Sequence, residues 1–151
     1  MSTNPSLPVH DAIACLQRLT EVFQARRRQL AQVAGLTEQQ WAVLEQISTE
    51  HFMPSMFAKS RASSAAAVSK ILRQLLDKRL IISRVGVTDA RLRQYELTAK
   101  GQRTIGLLRQ QRETAIATIW APLPPADLEH FTRFGTLLTD RLEKYALTVH
   151  H

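Results

Sequence analysis

The stretch from Ser63 to Thr98, SSAAAVSKILRQLLDKRLIISRVGVTDARLRQYELT, limits what this chain can fold into more than any other. Its first half carries Val68, Ile71, Leu72, Leu75 and Leu76 at i, i+3, i+4, i+7 and i+8, one apolar stripe at helical period. The opposite side carries Ala66, Ser69, Lys70, Arg73 and Gln74, small at its start and positive further on. Ser63 or Ser64 is a ready N-cap, because a serine oxygen can accept from the first free backbone N–H groups. A helix with small residues at its N-terminal end and cations beyond them can enter a DNA major groove and still reach phosphates. In isolation such a helix is more often a core helix with a solvated charged face, so its neighbours decide.

Upstream, PSMFAKSR (Pro54 to Arg61) has a short helical pattern, and Arg61 to Ser63 gives the turn of a helix-turn-helix. Downstream, Leu80 to Val85 is rich in branched residues and reads as a strand. Leu92 to Leu97 reads as its partner, with Gly86 to Arg91 as a polar tip. Helix, turn, helix and hairpin make a winged helix. Its hairpin would carry Arg91 and Arg93 on a projecting loop, within reach of a minor groove or its phosphates.

Charge agrees with this reading. The chain is formally +7, but Pro54 to Thr104 alone holds 11 Lys/Arg against 3 Asp/Glu. The whole positive excess therefore sits in the winged helix, which a merely solvated charge run does not require.

The flanks are helical. Val9, Leu16, Phe23 and Leu30 recur every seven residues, with Ala12, Ile13 and Leu19 between them, a narrow seam suited to another helix. Arg26-Arg27-Arg28 on such a helix points in several directions and reads as solvated surface. Gly35 ends the helix. Thr37 and Gln40 have capping-box spacing, and Leu36 and Trp41 occupy the two positions of a hydrophobic staple. Trp41, Val43, Leu44 and Ile47 supply the stripe of a second helix that stops before Pro54. Thr98 can serve as N-cap for a helix to about Trp120 that carries Ile105, Leu108, Ala115, Ile116, Ile119 and Trp120. Pro122 to Pro125 breaks it, and a last helix carries Leu128, Phe131, Leu138, Leu142 and Tyr145.

The expected fold is thus mainly α with a small β-hairpin wing, a single domain over residues 1–151. A winged helix-turn-helix DNA-binding lobe spans 36–97, flanked by dimerisation helices at 9–34 and 98–147. A twofold axis through those helices would present two basic helices to successive major grooves. At 44% hydrophobic residues the composition is globular. No apolar run approaches a membrane span, so no membrane partner is expected. The N-terminus lacks the pattern of a secretory signal, and the single cysteine, Cys15, fits a reducing compartment, so a cytoplasmic location is expected.

Residue by residue, the chain resembles the MarR family of bacterial transcriptional regulators over about residues 9 to 147. The wing pattern D-x-R-x(5)-L-T stands here as Asp89-Ala90-Arg91-Leu92-Arg93-Gln94-Tyr95-Glu96-Leu97-Thr98, followed by Lys100-Gly101. Leu36-Thr37 with Trp41 and Leu44 resembles the family's second helix. Ser69, Leu72, Leu75 and Leu76 resemble its recognition helix, and Leu80-Ile81 with Arg84 the entry to its wing. The resemblance implies a homodimeric repressor on a pseudo-palindromic double-stranded DNA operator, with Asp89 pairing Arg91 as Arg91 reaches the minor groove. The expected DNA-binding set is Ser63, Ser64, Ala66, Ser69, Lys70, Arg73, Arg84, Asp89, Arg91 and Arg93. Arg79 departs from the glycine common after the recognition helix. Either the backbone there is left-handed at a cost on the order of 1 kcal/mol, or the helix ends differently and Arg79 adds a phosphate contact.

The family resemblance also implies release by a small-molecule effector, an aromatic carboxylate or phenol, with Arg18, Trp41 and His51 as candidate ligand residues. For each of them the plain alternative is structural: a surface arginine, a core tryptophan, a loop-edge histidine. Cys15 invites a rival, a cysteine-based redox sensor like the family's peroxide-sensing branch. That branch holds its cysteine with tyrosines of the second helix, and here the only tyrosines are Tyr95 and Tyr145. No cofactor is implied. No histidine pair has helical ligand spacing, so no metal site is expected, and no catalytic motif argues for an enzyme. A winged helix used for protein interaction, without DNA affinity, is the remaining rival.

Overall fold

A computed structural model of the chain describes residues 6–49, 52–61, 63–86 and 93–149. In order these form α1 (Leu7–Val33), α2 (Glu38–Ile47), α3 (Pro54–Ser60), α4 (Ala65–Asp77), β1 (Ile81–Val85), β2 (Arg93–Leu97), α5 (Ala99–Ala115), a π-helical turn (Ile116–Trp120) and α6 (Pro125–Val149). The chain divides into two compact units, Met1–Gln110 and Gln111–His151.

In the first unit the core gathers where short-range signals end one helix and start the next. At the end of α1, Gly35 takes φ +73°, its N–H donates to the Gln32 carbonyl at 3.0 Å, and the Leu36 N–H donates to the Ala31 carbonyl at 2.9 Å. That is a Schellman cap, and glycine adopts its left-handed residue without strain. The capping box forms as expected: the Gln40 N–H donates to Thr37 Oγ1 at 3.1 Å, and the Thr37 N–H donates to Gln40 Oε1 at 3.1 Å. Leu36 and Trp41 are both buried beside it. Val43, Leu44 and Ile47 of α2 then meet Val68, Leu72 and Leu75 of α4, Ile81 of β1, and Ile105 and Leu108 of α5 in one apolar cluster. Ile71 and Leu76 complete the α4 stripe at partial burial.

The second Schellman cap closes α4 with an arginine where the first used glycine. The Arg79 N–H donates to the Leu76 carbonyl at 2.9 Å, and the Leu80 N–H to the Leu75 carbonyl at 3.1 Å. Arg79 takes φ 59°. Of the two readings open at this position, the left-handed backbone is the one observed. β1 and β2 then pair antiparallel, Ile81 opposite Leu97 and Val85 opposite Arg93. Alternation puts Ile81, Tyr95 and Leu97 on the core side and Ile82, Arg84 and Glu96 on the other. Thr98 starts α5, its Oγ1 accepting from the Gly101 N–H at 3.0 Å.

The long first helix is barely covered within its own unit. Of the heptad set, Leu30 is 9% exposed, whereas Val9, Leu16 and Phe23 are 56%, 43% and 53% exposed. The second unit is similarly open: no residue of α6 is buried. The helix beginning at Ala99 does run to Trp120, but its last turn is π-helical, with the Ala121 N–H donating to the Ile116 carbonyl at 2.8 Å. Pro122 to Pro125 ends it and α6 starts at Pro125, as the sequence indicates.

Candidate nucleic-acid interface

The outward face of α4 is built from the N-cap onward. Ser64 Oγ accepts from the Ala67 N–H at 3.0 Å, which identifies the capping serine, and leaves Ser63 just before the helix. With Val68, Leu72 and Leu75 buried, the helical period turns Ala66, Ser69, Lys70 and Arg73 to solvent, and all four are exposed. Among the described residues neither Lys70 nor Arg73 is ion-paired; the three ion pairs are Arg27–Glu38, Arg84–Glu96 and Arg109–Glu45. α3 packs against α4, with Lys59 and Arg61 exposed at its end and Arg61 lying over the Phe57 ring at 5.5 Å. The result is a small-residue helix start followed by uncompensated cations, carried by a helix-turn-helix.

The wing arginines part company. Arg84 lies on the outer face of the hairpin, its Nε 3.1 Å from Glu96 Oε2. Both side chains are more than half exposed there, so the pair is weak and Arg84 stays available to a stronger anion. Arg93 lies on the opposite face of β2, in register with Val85. It borders a cleft of about 670 Å³ together with Ile47, Ser48, Phe52, Met53 and Tyr95. Asp89 and Arg91 lie outside the described residues.

Of the candidate ligand residues, Arg18 and Trp41 do not line that cleft. Trp41 is buried in the core beneath the Arg27 guanidinium, 4.8 Å from its ring centroid. Arg18 is an exposed residue of α1, and His51 lies outside the described residues. Cys15 is exposed on α1. What the sequence reading did not single out are the polar ties that hold α4. Gln40 Nε2 donates to Gln74 Oε1 at 3.0 Å, and Lys78 Nζ donates to the Gly35 carbonyl at 2.7 Å. Lys100 Nζ donates to the Lys78 carbonyl at 3.1 Å. Spacing cannot reveal bonds between residues so far apart in the chain.

No family model and no curated protein matches the sequence. Solved structures do match. A MarR family transcription regulator superposes with a TM-score of 0.80 at 21% identity, over 92% of this chain and 93% of the other. The chain has the MarR-family fold. The Staphylococcus aureus MepR–DNA complex matches with a TM-score of 0.68 at 18% identity, covering 85% of this chain and 94% of that one. The multiple antibiotic-resistance repressor MarR of Listeria monocytogenes matches with a TM-score of 0.60 at 16% identity, covering 95% and 99%. At these identities the likeness is one of fold. It bears out the expected architecture, a winged helix with long helices before and after it.

Proposed function

We propose that the protein is a DNA-binding transcription regulator rather than an enzyme, acting as a homodimer on a pseudo-palindromic operator. The observation that carries this is the outer face of α4, small residues followed by Lys70 and Arg73, neither ion-paired among the described residues, on the second helix of a helix-turn-helix. The same fold in the MepR complex is bound to DNA, which supports the reading. Uncovered apolar residues of α1 support dimerisation, because a stripe of Val9, Ile13, Leu16 and Phe23 left in water is unfavourable until another surface covers it. Neutralising several phosphates per lobe releases counterions, so affinity for duplex DNA should fall by roughly three to five decades between about 50 and 200 mM salt. Fluorescence anisotropy on duplex DNA tests this. A salt-insensitive association confined to protein partners would favour the interaction-module reading.

The finer proposal is a repressor released by a small aromatic or phenolic acid. The cleft beneath β2 supports it: Phe52 and Tyr95 meet edge to face with centroids 6.2 Å apart, and Arg93, with no described ion-pair partner, stands at the same cleft. Aromatic walls beside one cation suit an aromatic anion. Such a ligand must favour the DNA-incompetent arrangement over the competent one, or it shifts nothing. A thermal-shift screen of aromatic acids, followed by DNA release on a gel, tests it. Stabilisation without release would refute the effector role.

A further inference from the structure

The apolar stripe of α4 selects the face the helix buries, but apolar contact is non-directional, and directional bonds narrow the rotation it leaves open. Gln40 supplies one. It is 5% exposed, the only buried polar or charged residue among those described, and both ends of its amide are engaged. Oε1 accepts from the Thr37 N–H and closes the cap of α2, while Nε2 donates 3.0 Å to Gln74 Oε1 on α4. The cap alone explains a glutamine at position 40. It does not explain the bond to Gln74, which ties a buried, pre-oriented group to the residue next to Arg73 and four after Lys70. A rotation of about 20° would move side-chain groups at a radius of ~5–6 Å by about 2 Å, enough to break a hydrogen bond to a base edge.

We propose that Gln40 is a positioning residue for DNA readout, holding Gln74 and thereby fixing the rotation of α4 that aims Ser69, Lys70 and Arg73. This rests on the DNA-binding reading above. It assigns to Gln40 and Gln74 a role in sequence discrimination while leaving phosphate attraction to the cations.

The test compares two duplexes at one salt concentration, one selected from a random pool by the wild-type protein and one scrambled. Gln74→Met removes the acceptor at similar length from a half-buried site. It should lower the ratio of selected to scrambled affinity about tenfold, with scrambled binding held within about twofold. Gln74→Glu keeps an acceptor for Gln40 Nε2 and should restore most of the ratio. Thr37→Ala cuts the Thr37 half of the capping box without touching the Gln40–Gln74 bond, so it should lower the melting temperature and leave the ratio alone. An unchanged ratio in Gln74→Met, a Glu variant as poor as Met, or an equal loss in Thr37→Ala overturns the assignment. A wild-type protein that binds neither duplex in dilute salt instead removes the DNA-binding reading itself.

Discussion

The hydroxyl of Thr98 donates to the carbonyl of Arg79 at 2.7 Å, tying the first residue after the wing to the left-handed residue that ends α4. The neighbouring carbonyls are held from the same side: Lys78 accepts from Lys100 Nζ at 3.1 Å and Leu80 from the Thr98 N–H at 3.0 Å. Three consecutive carbonyls are thus engaged by the start of α5. The left-handed turn at Arg79 is what lets the chain leave α4 and present them there.

That turn carries a cost that glycine would not incur. Arg79→Gly should raise stability by about 0.5–1 kcal/mol, because relief of the left-handed penalty outweighs the extra freedom of the unfolded chain. Urea unfolding reads this directly. A destabilised glycine variant would mean that the arginine side chain contributes more packing than its exposure suggests.

The close approach of α5 makes Gly101 a different case. A Cβ there would meet the Leu80 carbonyl oxygen at 2.1 Å, a backbone atom that cannot swing away. Gly101→Ala should therefore destabilise by about 1–3 kcal/mol or more. Gly106, five residues on in the same helix, faces open space. Gly106→Ala should stabilise by about 0.5–1 kcal/mol through helix propensity. Opposite signs for the two alanines, in one denaturation series, are the expected result.

Much of this fold was legible because its signals are local. The capping box at Thr37 and Gln40, the break at Pro122 to Pro125, the stripe of α4 and the cap at Thr98 each depend on residues a few positions apart, and each is present. The choice at Arg79 was not legible, since an exposed arginine is equally at home in an ordinary helix end. Nor was the π-helical turn at Ile116–Trp120, where the sequence shows only a continuing apolar stripe. Gln74 illustrates the limit at the site. By helical period it falls on the outer face of α4, yet it is half-buried, because its partner Gln40 comes from a helix 34 residues away in the chain.

The α4 cations give a quantitative handle on the interface. Replacing Lys70 and Arg73 together by glutamine keeps a polar side chain at each position but removes two charges that no described acid compensates. If both neutralise phosphates, the slope of log affinity against log salt should shrink by about one per residue removed, for each copy bound. Binding isotherms at several salt concentrations check it. A slope that does not move would take α4 off the DNA backbone.

Covering the α1 stripe should be the condition for specific binding. Leu16 and Phe23 are 43% and 53% exposed in the single chain, so glutamates there disturb little of its own packing. Across a twofold seam the same change removes buried apolar side chains worth about 1.5–3 kcal/mol each and sets like charges together. Leu16→Glu with Phe23→Glu should convert a dimer to a monomer by sedimentation while leaving the helical circular dichroism of the first unit intact. Specific DNA binding should fall with it, because one α4 then reads a single half-site and loses the joint contribution of two. A variant that stays dimeric would place the contact elsewhere, and a monomer that still binds the full site with wild-type affinity would separate assembly from recognition.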